Sequence, residues 1–199
     1  MRHAGILVGL LAAAISLAGN PASADTIDDK VQICAGCHGE NGIPQEKTTP
    51  IIWGQNQGYL YIELRDFKGG ARKNDQMSAI AADLSKDDMK ALAAHFAGLK
   101  WPNLAQPSPS KDITKHALTV IGSIGCTSCH LDQYQGDSST PRLAGQQSGY
   151  LLKTMTDFRD HSRANNPGMS DLMNAAQPAD LDPIAQCLAS LTVIGGDGQ

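Results

Sequence analysis

Apolar residues recur at helical spacing along most of the chain, and nowhere do they alternate as a half-buried strand requires. The spacing predicts helices over 58–68 and 149–159, with further helices over 25–35, 85–97, 114–122 and 178–191. Stretches rich in glycine and proline, 39–50 and 135–141, read as loops. The fold class expected is all-α. One apolar run stands apart: residues 4–18 follow Arg2 and His3 and precede Ala22-Ser23-Ala24, the form of a secretory signal cleaved after residue 24. The run is shorter than the roughly 18 residues of a membrane span, is broken by Gly and Ser, and leads into Asn20-Pro21 rather than a charge cluster. Export to a bacterial periplasm is therefore expected, with an uncleaved anchor as the alternative.

The helical pattern occurs twice. Pro50-Ile51-Ile52-Trp53-Gly54-Gln55, Gly58-Tyr59-Leu60, Asp66-Phe67 and Arg72 are matched, 91 residues later, by Pro141-Arg142-Leu143-Ala144-Gly145-Gln146, Gly149-Tyr150-Leu151, Asp157-Phe158 and Arg163. The closing stretches match at an offset of 92, as do Met77 and Met169. Between the copies lies the connector 100–110, whose three prolines and small polar residues cannot continue a helix. The chain is thus expected to divide into a signal segment (1–24), a first domain (25–106) and a second (107–199). Each half is short and poor in aromatics, a size at which an all-protein core is marginal. A bulky buried cofactor would supply the missing apolar mass.

Charge narrows the partners. The chain carries 16 basic and 20 acidic side chains, a formal net charge of −4; without residues 1–24 the charge is −5, divided almost evenly as −2 for 25–107 and −3 for 108–199. Nucleic acid is an unsuitable partner for such a surface, and neither half forms a one-sided steering field.

The candidate chemistry sits in a motif found once per copy: Cys34-Ala35-Gly36-Cys37-His38 and Cys126-Thr127-Ser128-Cys129-His130. Cys-x-x-Cys followed by His is the spacing for covalent haem. Two thiols form thioethers with the vinyl groups, and the adjoining imidazole reaches the iron from the same helical turn. A redox dithiol would open a helix after a strand, and structural zinc would need a further ligand pair; neither context is present. Two covalent haem c groups follow, with Cys34, Cys37, Cys126 and Cys129 as attachment residues and His38 and His130 as proximal ligands. Pro50 and Pro141 are placed to offer a carbonyl to the free nitrogen of each imidazole.

The sixth iron position separates a carrier from a haem enzyme. Met77 and Met169 each lie 39 residues beyond their own histidine and each precede a serine, as duplicated ligands would. Met89, Met155 and Met173 read as core residues. A thioether raises the potential and closes the iron to substrates, the chemistry of a relay. Arg72 and Arg163 are candidates for pairing with a haem propionate or for a solvated surface. His95, His116 and His161 lack counterparts and read as surface or packing residues, with His161 a rival ligand for the second haem. Cys187 is the odd cysteine and reads as a buried thiol.

Together, the tandem Cys-x-x-Cys-His motifs, the repeated Pro-x-x-x-Gly-Gln, Gly-Tyr-Leu and Asp-Phe, and the downstream methionines resemble the dihaem cytochrome c4 family. The resemblance spans nearly all of residues 25–195. It implies two class I cytochrome c domains related by approximate two-fold symmetry, with the haems close to their interface. It also implies redox protein partners, electrons passing from a quinol-oxidising cytochrome complex towards a terminal oxidase, and association with the periplasmic face of the inner membrane. One departure is that Gln76-Met77 lacks the Pro-Gly that precedes Met169. The other functional classes are an electron-accepting subunit of a dehydrogenase and a dihaem enzyme with one open iron. No base or ligand cluster is added beside either motif, which argues against the enzyme.

Overall fold

The computed structural model describes Met1 and residues 26–192, so the predicted secretory segment lies outside the described residues. Its helices are α1 (Ile27–His38), α2 (Gln57–Gly69), α3 (Asp75–Ala82), α4 (Lys86–Ala97), α5 (Lys111–Ile124), α6 (Thr127–His130), α7 (Ser148–Arg159), α8 (Pro167–Ala175) and α9 (Pro178–Ser190). Among the described residues there is no strand, only an isolated bridge between Asp137 and Thr140. None of the described helices is long and apolar enough to cross a membrane.

The first unit packs α2 on α3 and α4, with α1 laid against α4; the second packs α7 on α8 and α9, with α5 against α9. Each has its own apolar centre. Leu60, Leu84, Met89, Leu92 and Phe96 fill the first, while Ile121, Leu151, Met155, Phe158, Leu181, Ile184 and Leu188 contribute to a larger second one. Residues 100–110 form no helix between them.

Six of these helices fall where apolar spacing predicts them. Three do not: α6 is a single turn within the second cysteine motif, and α3 and α8 are too short to show a convincing period, their start signal being a single capping residue. Asn74 Oδ1 accepts from the Met77 N–H at 2.9 Å, and Asn166 Oδ1 accepts from the Met169 N–H at 3.1 Å. An asparagine three residues before the methionine thus satisfies an otherwise orphaned amide at the first turn in both copies.

The entry to the two cysteine motifs differs. In the first copy α1 runs unbroken through Cys34 and Cys37 to end at His38. In the second, α5 stops at Ile124, Gly125 adopts φ 82°, and the motif restarts as α6. Ile33 occupies the equivalent place in the first copy. A glycine supplies the left-handed conformation that ends the helix, and an isoleucine does not.

Helix α4 is tied to α1 through one carboxylate. Asp88 accepts from the Ser85 N–H at 2.9 Å and from its hydroxyl at 2.7 Å, and pairs with Lys30 at 2.7 Å. The Lys30 ammonium and the Ser85 donors hold its carboxyl down, from 3.8 to about 2. Replacing Asp88 with Ala should cost about 1–2 kcal/mol at neutral pH. Because the folded value is depressed, that advantage should persist above about pH 4 and vanish as pH falls towards 2. Thermal unfolding of both proteins between pH 2 and 7 checks this.

Candidate cofactor sites and the interface between them

Helix α1 places Cys34 and Cys37 one turn apart with His38 at its end, and α6 does the same for Cys129 and His130, with Cys126 as its N-cap. Cys37 and Cys129 are exposed, Cys34 and Cys126 half-buried, and no described cysteine is in a disulfide. Burial pushes the Cys34 thiol up to about 11 and raises Cys126 as well. Both imidazoles are buried, and desolvation lowers their pKa, favouring the neutral ring. Their orientation is fixed as expected: His38 Nδ1 donates to the Pro50 carbonyl at 2.8 Å, and His130 Nδ1 to the Pro141 carbonyl at 2.9 Å. A carbonyl only accepts, so Nδ1 carries the proton and Nε2 keeps its lone pair for a metal.

Met77 and Met169 are half-buried at the first turns of α3 and α8, and Met169 packs against the second core. The missing Pro-Gly before Met77 leaves this start intact, since the same asparagine cap serves both helices. Several buried polar groups have no partner among the described residues: Trp53 Nε1, Trp101 Nε1, Arg142 Nε and Ser170 Oγ. Unpaired buried donors are costly and call for a partner. Thiols at the helix surface, imidazoles with Nε2 free and repeated methionines fit one covalent haem per unit.

The units meet through their repeated segments, and the contacts are reciprocal, as two-fold symmetry demands. Gln55 Oε1 accepts from the Arg142 N–H at 2.8 Å, and its Nε2 donates to the Arg142 carbonyl at 3.0 Å. Gln146 does the same to Ile51, at 2.8 and 3.0 Å. The hydroxyls of Tyr59 and Tyr150 face each other at 3.4 Å. A side-chain carbon on Gly58 would come within 2.8 Å of the Ser138 carbonyl, and one on Gly149 within 2.8 Å of the Lys47 carbonyl. The repeated Gly-Tyr-Leu therefore needs its glycine, because a loop of the other unit abuts it.

One feature of this face is not duplicated. Glu63 receives Arg72 on one carboxylate oxygen and Arg163 on the other, both at 2.6 Å. Its counterpart, 91 residues on, is Thr154. The arginines are therefore neither at a solvated surface nor free, since both converge on Glu63 while lying over Phe67 and Phe158, at 4.6 and 4.3 Å from the ring centroids. They also approach the tyrosines: Arg72 donates to Tyr150 at 3.2 Å and Arg163 to Tyr59 at 3.4 Å. Burial would push the Tyr150 phenol up, but the two guanidinium charges draw it down to about 8. Sequence reasoning singled out the arginines and missed Glu63, whose lack of a counterpart was its only signal.

The remaining candidates separate from the site. His161 is exposed, within 3.1 Å of Asn174 Nδ2, and His116 pairs with Asp180 at 2.8 Å. His95 is also exposed, whereas Cys187 is buried in α9.

No family model matches the chain. Cytochrome c4 of Pseudomonas aeruginosa is 31% identical over 145 residues, spanning 69% of this chain and 71% of that protein. The thiosulfate dehydrogenase electron acceptor of Stutzerimonas stutzeri (strain A1501) is 33% identical over 165 residues, spanning 78% of this chain and 76% of that one. The cytochrome c4 structure from Acidithiobacillus ferrooxidans superposes with a TM-score of 0.73 at 26% identity, covering 80% of this chain and 99% of that chain.

Replacing Glu63 with Gln leaves two buried guanidinium groups without their shared counter-charge. The expected cost is about 3 kcal/mol, read as a lowered denaturant midpoint at neutral pH.

Proposed function

The chain belongs to the cytochrome c4 family, and from that premise we propose that it is a periplasmic carrier relaying electrons from a quinol-oxidising cytochrome complex to a terminal oxidase. It is a dihaem c-type cytochrome with covalent haem, an electron-transfer protein rather than an enzyme, and its partners are redox proteins. In the proposed assignment Cys34 and Cys37 hold one haem and Cys126 and Cys129 the other. His38 and Met77 are the axial ligands of the first iron, His130 and Met169 those of the second. The signal segment is residues 1–24 and the domains are 25–106 and 107–199, with peripheral inner-membrane association.

The observation that carries this reading is the duplication of a whole constellation. Both copies repeat the thiol pair, the imidazole with Nδ1 held by a proline carbonyl, and the methionine on an asparagine-capped helix. Haem supplies a one-electron ferric–ferrous couple. The protein's part is to hold each imidazole in one tautomer, to close the other axial position with a thioether that favours the ferrous state, and to exclude substrates. Replacing Met77 or Met169 with Ala should lower the potential of that domain's haem alone, measured by redox titration of each variant. An unchanged potential would remove that methionine from the site.

A second reading, an electron-accepting subunit of a periplasmic dehydrogenase, is favoured by the similarity to the Stutzerimonas stutzeri acceptor. Native purification separates the two. A free carrier elutes alone at the mass of one chain with two haems, and a subunit brings its dehydrogenase with it.

A further inference from the structure

The cross-domain glutamines do more than join two surfaces. The N–H of Ile51 and the carbonyl of Pro50 belong to the same peptide group, so that peptide has both ends engaged. Its carbonyl accepts from His38 Nδ1 at 2.8 Å, and its N–H donates to Gln146 Oε1 at 2.8 Å. In the second domain the Pro141 carbonyl accepts from His130 Nδ1 at 2.9 Å, and the Arg142 N–H of the same peptide donates to Gln55 Oε1 at 2.8 Å. Each imidazole is thus linked, through a single peptide, to a glutamine of the other domain.

The amide orientation is fixed by its partners. A backbone N–H must meet Oε1, and the adjacent Ile51 or Arg142 carbonyl must meet Nε2, both at 3.0 Å. Each Oε1 also accepts the N–H of its own following residue, Asn56 at 2.8 Å and Gln147 at 2.9 Å, which anchors the side chain. Gln55 is 3% exposed and Gln146 2%, so bulk water has little access to these bonds. Hydrogen bonds in series polarise one another. An acceptor on the peptide N–H makes the proline carbonyl a stronger acceptor, which pulls harder on Nδ1–H and makes Nε2 a better donor to a metal.

We propose that Gln146 and Gln55 are positioning residues that tune the redox potential of the haem in the opposite domain: Gln146 acts on the His38 side through the Pro50–Ile51 peptide, and Gln55 acts on the His130 side through Pro141–Arg142. The inference rests on the assignment of His38 and His130 as iron ligands. A glutamine that strengthens the imidazole donor favours ferric iron, so its loss raises the potential of the haem across the interface and leaves its own domain's haem unmoved. Each domain's potential is then a property of the docked pair.

The test uses the full-length dihaem protein with Gln146→Met and Gln55→Met, which keep side-chain length and volume but remove the acceptor. Each potential is followed by redox titration, with the Nδ1–H proton resonances of His38 and His130 as reporters. The expected result is crossed: Gln146→Met raises the His38-side potential, and Gln55→Met raises the His130-side potential. Gln146→Glu, which keeps an oxygen on the Ile51 N–H, should return the His38-side value to or below wild type. It also keeps the test open should the Met variant not assemble. A shift on the glutamine's own side, an equal shift on both sides, or none would overturn the proposal and leave a purely structural clamp. In wild-type ferric protein both Nδ1–H signals should be hyperfine-shifted. Their absence would overturn the ligand assignment together with this inference, whereas shifted protons with uncrossed potentials would overturn the inference alone.

Discussion

Backbone amides at a buried contact need hydrogen-bond partners, and where two irregular loops meet, no helix or sheet ladder supplies them. Here Gln55 and Gln146 reach across to the Arg142 and Ile51 backbones and offer one acceptor and one donor each. The prolines that orient the two imidazoles sit one residue away, so interface and cofactor sites share the same short loops. The glycines at 58 and 149 are part of the same constraint, because the facing loops approach too closely for a side chain.

The duplication is incomplete where it matters for telling the two centres apart. Glu63 faces both arginines, while Thr154 stands in its place in the second copy. Trp53, whose indole N–H has no partner among the described residues, is matched by Ala144. The second core is larger, and its motif is entered through the helix break at Gly125. Two haems in such surroundings sit in different electrostatic and packing environments, a basis for unequal potentials within one chain.

Much of this was legible in the sequence, because covalent haem attachment demands a fixed spacing and because duplication exposes what both copies retain. The long helices followed from apolar periodicity, and the proline–histidine bonds followed from the needs of a metal-binding imidazole. Helices α3 and α8 did not, since eight or nine residues started by one asparagine leave almost no periodic signal. Glu63 was missed for a different reason. A carboxylate present in one copy looks like ordinary surface until the fold brings Arg163 to it from 100 residues away. The glutamines were visible as a repeated pair, but their target was not, because a bond to another domain's backbone leaves no trace in side-chain pattern.

In the proposed assignment the architecture is that of a relay: two metal sites, each closed by a methionine, on either side of a polar face whose glutamines are buried. The most direct test of this account is the optical spectrum of the dithionite-reduced protein before and after carbon monoxide is added, on a sample whose haem content has been counted. Two haems per chain and an unchanged spectrum are expected if Met77 and Met169 close the two irons as proposed. A shift in the bands of either haem would reveal an open iron and contradict the assignment of the protein as a carrier.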